Sequence, residues 1–239
     1  MFNILTLNKI SKVGLDKLDP AKYTCSDSVE APDAILVRSA SMHEMTLSPA
    51  TLAIGRAGAG VNNIPVADFG AQGVAVFNTP GANANAVKEL VLCSLFLASR
   101  KVASAVDWCK TLKGEGDAVG KLVEKGKSAF AGPEILGKTL GVIGLGAIGT
   151  LVAEGAKALG MDIVGYNPRL PEERIADLTS KGIKLMSSLD ELYAASDYIT
   201  LHLPLNDSTR GMINGEAIAK MKDGVRILNF ATGWSTPTR

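Results

Sequence analysis

Short apolar runs alternate with stretches of helical periodicity along almost the whole chain. Residues 3–7, 34–38, 51–54 and 74–77 each read as a strand, and residues 9–18 read as a helix closed by Asp19 and Pro20. Residues 82–100 read as one long helix, with Val87, Leu90, Val91, Leu95 and Leu97 at helical spacing and Cys93 inside the run as a small core residue. A second helix is expected over 101–113, with Trp108 partly buried. Residues 114–132 mix glycine and lysine without a period and read as a loop or linker. The alternation then resumes, with strands at 140–143, 162–166, 183–186, 198–203 and 225–230. Helices are expected at 147–159, 171–181, 189–195 (capped by Ser188) and 214–221. This alternation predicts an α/β fold, with parallel strands and helices on both faces of the sheet. Ligands of such folds gather at the carboxyl ends of the strands.

Composition narrows the function. At 239 residues the chain is long for one domain and short for two full ones. A hydrophobic content of 46% supports a core, and a net charge of +1 gives no electrostatic claim on nucleic acid or a membrane surface. The longest apolar stretch, residues 90–98, is too short to cross a bilayer, and residues 1–8 carry no basic leader or cleavage-like site. Cys25, Cys93 and Cys109 are odd in number and widely spaced, which suits reduced thiols in a cytoplasm and neither a disulfide framework nor a metal site.

The chemistry concentrates in T-L-G-V-I-G-L-G-A-I-G, residues 139–149. A strand runs into Gly144, Gly146 and Gly149, and a helix starts at Ala147. In a G-x-G-x-x-G turn the first glycine permits the bend, the second admits a pyrophosphate, and the third lets helix and strand touch. The helix N-terminus then faces the phosphates. Two more strand ends carry arginine: Arg38-Ser39, and Arg56 at the start of R-A-G-A-G, which includes Gly58. Two arginines and an amide-rich loop suit a substrate with a carboxylate and a phosphate, or they merely solvate strand ends. Of the two histidines, His43 reads as a solvated loop residue. Pairing His202 with Asp197 as an acid/base dyad is disfavoured, because residues five apart on a strand face opposite sides. Glu89 reads as a surface or hinge contact.

These stretches, with V-F-N-T-P-G-A-N-A-N-A-V-K-E-L, V-G-Y-N-P, L-H-L-P-L-N-D-S-T-R-G-M-I-N and I-L-N-F-A, resemble the D-2-hydroxyacid dehydrogenases, and among them the branch acting on 3-phosphoglycerate. The resemblance runs from Met1 to about Ala231. It implies a flavodoxin-like substrate domain over 1–100 and a Rossmann domain over 101–239, a doubly wound parallel sheet incomplete at its C-terminus. It implies NAD as cofactor and oxidation of 3-phosphoglycerate to 3-phosphohydroxypyruvate, the entry to serine. Arg38, Ser39, Arg56 and Gly58 would face substrate. Ala59, Ala147, Ile148, Asn167, His202, Leu203, Pro204, Thr209, Phe230 and Ala231 would join Gly144, Gly146 and Gly149 around the dinucleotide. A homodimer in the cytoplasm is the expected state.

The sequence departs from the family pattern in three places. The acidic residue expected after the second Rossmann strand is Asn167, which bonds ribose without repelling a 2′-phosphate, and Arg169 lies two residues on, so NADP stays open beside NAD. The family's catalytic arginine position is Thr232, in N-F-A-T-G. The family's acid/base histidine and its orienting glutamate would fall beyond Arg239, as would later strands and a returning helix. An uncovered edge or face and an association-prone protein are expected from that. Two readings follow: a dehydrogenase acting on 3-phosphoglycerate or another small 2-hydroxy acid such as hydroxypyruvate or glycerate, and a non-catalytic dinucleotide-binding remnant or interaction protein.

Overall fold

The computed structural model describes residues 1–231. Contacts divide the chain into two compact units that meet at Asn83 and Ala84. The sequence-based division at residue 100 falls one helix further on.

The first unit is built on β1 (Phe2–Leu7), α1 (Lys12–Leu15), β2 (Tyr23–Ser26), β3 (Ala34–Val37), β4 (Ala53–Arg56), α2 (Val66–Ala71) and β5 (Ala75–Phe77). Its five strands are parallel in the order β2-β1-β3-β4-β5, the flavodoxin-like winding. Ile35, Val37, Met42, Ile54 and Phe69 form its core. The helix expected over 9–18 is only α1, one turn with no buried residue. Without an apolar face to bury, so short a helix is not sustained beyond a turn. The strand expected at 51–54 begins two residues later. The hydroxyl of buried Thr51 donates to the Pro32 carbonyl at 2.9 Å. Neither β2, a half-buried edge strand, nor the six-residue α2 has a clear period in the sequence.

The second unit contains α3 (Ala84–Ser99), α4 (Val102–Thr111), α5 (Val119–Gly126), β6 (Thr139–Ile143), α6 (Ala147–Ala158), β7 (Asp162–Tyr166), α7 (Glu172–Ser180), β8 (Lys184–Leu185), α8 (Leu189–Ala195), β9 (Tyr198–Leu201), α9 (Gly215–Ala219) and β10 (Arg226–Asn229). The sheet order is β10-β9-β6-β7-β8, all parallel, which is the Rossmann winding. The expected α/β class and both sheet types are therefore present. β6 is central and its last four residues are fully buried, as a strand covered on both faces requires. Two cores flank the sheet. One joins Val91 and Leu95 of α3 to Val152 and Ala156 of α6, and the other joins Leu192 and Tyr193 of α8 to Ile199 and Leu201.

Two sequence readings are corrected in this unit. Residues 114–132 are not a loop: they hold α5 between 3-10 turns at Gly116–Ala118 and Lys127–Phe130. Val119, Leu122, Val123 and Gly126 are half-buried at helical spacing. A β-carbon at Gly126 would meet the Trp108 ring, so the glycine that reads as a breaker is a packing contact. Cys93 is exposed rather than core. Buried Val91 and Leu95 define the inner face of α3, and Cys93 lies about 200° around from Val91. Leu90 (56% exposed) and Leu97 (49%) share that outer stripe, which gives α3 two apolar faces. The inner face is anchored by Ser99, whose hydroxyl lies 2.7 Å from the Tyr198 phenol.

Candidate functional site

Both candidate regions lie at carboxyl ends of parallel strands. In the second unit the sheet order reverses between β6 and β9, the neighbours that flank the switch point. Gly144 follows β6 with φ of 95°, a conformation that L side chains rarely adopt. A β-carbon there would also lie 2.8 Å from the His202 carbonyl oxygen at the end of β9. At Gly149 a β-carbon would run into the Gly144 carbonyl. At Gly146 it would meet nothing within 4 Å. Two of the three glycines are thus demanded by the protein's own packing, whereas Gly146 leaves open space in front of the loop. Gly146 caps α6 without a side-chain bond, and the Ala147 and Ile148 amides make no hydrogen bond among the described residues. Free N–H groups at the positive end of a twelve-residue helix, behind a glycine with no side chain in the way, fit a pyrophosphate.

The loop is braced from the side. Arg174 on α7 reaches the Leu145 carbonyl at 3.4 Å and the Thr150 hydroxyl at 3.2 Å, while pairing with Asp177 at 2.6 Å. Asn167, just past β7, accepts from the Leu145 amide at 3.2 Å and donates to the Arg169 carbonyl at 2.8 Å. Sequence reading missed Arg174; an arginine in the first half of a surface helix carries no signal of its own.

Beyond β9, the His202 Nε2 lies 3.0 Å from the Thr200 hydroxyl and the Nδ1 is buried without a partner. Burial pushes its pKa down to about 4. Asp197 precedes β9 at its opposite end, where it accepts from the Thr139 amide at 2.8 Å and from Lys222 at 3.0 Å. Burial works to raise the Asp197 pKa, but those donors and Lys138 outweigh it and hold the carboxylate low. The dyad disfavoured on strand geometry is absent. Leu203, Pro204, Thr209 and Ala231 line one small crevice with Leu201 and Met212. The Thr209 hydroxyl donates to the Pro204 carbonyl at 2.6 Å and accepts from the Asn206 amide at 2.9 Å, so it staples this loop. Phe230, just past β10, packs on the α3–α6 core. Thr232 lies outside the described residues.

In the first unit Arg56 closes β4 and pairs in register with Val37, so Arg38 and Ser39 leave the neighbouring strand at the same edge. Arg38 and Ser39 are exposed, and Arg56 is half-buried with its Nε shielded and unpartnered. Its guanidinium folds over Gly58, where a β-carbon would strike it. Ala59 is exposed, and its carbonyl accepts from the Asn78 side chain at 2.6 Å. The Thr79 amide donates to the Gly58 carbonyl at 3.0 Å. Asn8, with φ of 67°, caps the other side by accepting from the Ser39 amide at 3.0 Å. Asn8 was missed, although an asparagine directly after a strand is a known left-handed turn signal. Ile10, Leu36, Gly55, Phe77, Asn78 and Thr79 surround a cavity of about 170 Å³ beside Arg56. His43 is exposed and bonds the Asn62 carbonyl at 2.9 Å, and Glu89 accepts from Asn85 at 2.8 Å. Among the described residues no three His, Cys, Asp or Glu side chains gather to hold a metal, and no helix is long and apolar enough to cross a membrane.

Comparison with known proteins gives the same assignment. Residues 92–238 match the D-isomer specific 2-hydroxyacid dehydrogenase, NAD binding domain. A hydroxypyruvate reductase of Thermotoga maritima is 43% identical over 204 residues, covering 84% of this chain and 61% of that protein. A D-3-phosphoglycerate dehydrogenase of Mycobacterium leprae is 40% identical over 209 residues, covering 86% of this chain and 37% of that one. The chain therefore spans under two thirds of these relatives. The NAD-bound 3-phosphoglycerate dehydrogenase of Entamoeba histolytica superposes with a TM-score of 0.72 at 26% identity, over 96% of this chain and 72% of that one. With two parallel sheets wound in the flavodoxin-like and Rossmann orders and a glycine loop at the second switch point, the chain belongs to the D-isomer specific 2-hydroxyacid dehydrogenase family and carries its NAD-binding domain.

Proposed function

We propose that this chain acts in the NAD-dependent oxidation of a D-2-hydroxy acid, and that the acid is 3-phosphoglycerate, which becomes 3-phosphohydroxypyruvate on the way to serine. The observation that carries the substrate reading is Arg56. Its guanidinium lies over Gly58, its Nε is shielded and unpaired, and it borders a cavity at a strand edge that also carries Arg38. A shielded guanidinium N–H without an acceptor is costly, and a carboxylate or phosphate would relieve that cost. The second cation and the loop amides give the acid's other negative group a partner.

Bound NAD supplies the hydride acceptor for C2 of the acid. Gly146 and the open amides of Ala147 and Ile148 hold the pyrophosphate in this reading. Asn167 bonds the ribose, while Leu203, Pro204, Phe230 and Ala231 give the dinucleotide apolar walls. Gly144, Gly149 and Thr209 act indirectly, by shaping the loops. His202 borders the site as a neutral side chain and is no general base, since a group titrating near 4 is a poor proton acceptor at neutral pH. In sequence, Thr232 stands where the family's arginine is expected and carries no charge to polarise the substrate carbonyl. Low turnover is part of the proposal for that reason.

A cytoplasmic homodimer completes the reading. Its support is the second apolar stripe of α3, with Leu90 and Leu97, together with exposed Val102 and Val106 of α4 beside a groove walled by Phe130. Light scattering would report twice the chain mass.

The substrate test is calorimetric. With NADH present, 3-phosphoglycerate should bind at least tenfold tighter than glycerate, and R56Q should remove most of that difference. Equal affinities would favour the second reading, in which the substrate is hydroxypyruvate or glycerate, as the name of the Thermotoga maritima relative suggests.

A further inference from the structure

The cofactor's ribose end in a Rossmann domain is read by the residues after the second strand: a carboxylate there bonds the adenosine ribose and repels a 2′-phosphate, whereas a nearby arginine accommodates it. In this chain that position is Asn167, at the end of β7. Its side chain is uncharged and makes one hydrogen bond at each end, which leaves one N–H and one lone pair for a ribose. The Oδ1 takes the Leu145 amide of the glycine loop, and the Nδ2 donates to the Arg169 carbonyl. The second bond pins the turn that carries Arg169. Arg169 itself is exposed, and its guanidinium has no hydrogen bond or ion pair with the described residues. The next cation, Arg174, is held by Asp177 and by the loop, and Asp177 also pairs with Lys181 at 3.4 Å. Glu172 and Glu173 are exposed in the first turn of α7 and are the acidic groups nearest in sequence. The segment therefore has an uncommitted arginine next to the neutral residue that replaces the excluding carboxylate.

We propose that the ribose end of this site accepts a 2′-phosphorylated dinucleotide as well as NAD, with Arg169 its phosphate partner and Asn167 the residue whose neutrality permits it. This rests on the assignment of the second unit as the dinucleotide site. Asn167 fixes the carbonyl of residue 169, so the guanidinium starts from an anchored backbone and less ordering is needed on binding.

Binding can be read without turnover, by quenching of the protein's tryptophan fluorescence and by calorimetry. NADH, NADPH, 5′-AMP and 2′,5′-ADP serve as probes at low and moderate salt. The proposal expects NADPH to bind the unaltered chain within about tenfold of NADH, more weakly as salt rises. R169A should raise the ratio of NADPH to NADH dissociation constants at least tenfold, and N167D should raise it further by adding repulsion. The same ordering should appear between 2′,5′-ADP and 5′-AMP. Matching circular dichroism spectra would show that both variants fold. A hundredfold preference of the unaltered chain for NADH, or an R169A variant that changes both affinities alike, would overturn the proposal. Failure to bind any of the four probes would overturn the dinucleotide assignment itself.

Discussion

Gly149, in the first turn of α6, rests so closely on the carbonyl oxygen of Gly144 that no β-carbon fits between them. Gly146, between the two, faces open space. The three glycines of one motif therefore do two different jobs, and substitution separates them. G149A should lower the melting temperature by several degrees, because the helix must move off the strand, and should weaken NADH binding with it. G146A should leave the melting temperature within a degree or two but weaken NADH at least tenfold, since the new methyl occupies the pyrophosphate's approach. Equal thermal losses in the two variants would contradict this division.

His202 makes stability depend on pH. Its folded pKa of about 4 lies below the ordinary value of 6.5, so between those values the unfolded chain binds a proton that the folded chain does not. Stability must then fall as pH drops from about 6.5 to about 4, by up to about 3 kcal/mol from this residue. Urea unfolding across that range should show the slope, and H202Q should flatten it. An unchanged slope in H202Q would mean that another group carries the transition.

Arg56 and Gly58 form a coupled pair in the first unit. G58A would force the guanidinium out of its place over residue 58. Affinity for 3-phosphoglycerate should fall at least tenfold in G58A, and in R56Q the two substitutions should show little further loss when combined. Additive losses would indicate that residue 58 acts independently of the arginine.

Restoring charge at position 232 tests the sequence-based departure there. T232R should raise kcat at least tenfold, since a charged donor to the substrate oxygen is worth about 3 kcal/mol. No gain in a variant that still binds NADH and substrate would mean that Thr232 is not what limits the rate.

Much of the fold is legible in the sequence because the second unit's strands are continuous apolar runs closed by glycine or polar turns. The β6–Gly144–α6 stretch is the clearest case: run, glycines and helix occur in the order that the geometry needs. What escaped did so for physical reasons. The α5 segment hides because Gly120 and Gly126 read as breakers, although Gly126 is where the Trp108 ring packs. The Cys93 reading fails because both faces of α3 are apolar, so periodicity alone cannot say which is inside. At the candidate sites the glycines and strand-end arginines were visible as residue types. The bracing of Leu145 by Arg174, the Ser39 amide's bond to Asn8 and the Leu145 amide's bond to Asn167 span 22 to 31 positions. No local pattern encodes such pairs.

The most direct measurement is NADH oxidation with 3-phosphohydroxypyruvate set against hydroxypyruvate, on the purified chain of confirmed mass. Slow but measurable turnover is expected, with kcat/KM at least tenfold higher for the phosphorylated acid and reduced by R56Q. Bound NADH with no turnover of either acid would contradict it, leaving a dinucleotide-binding protein that is not a dehydrogenase.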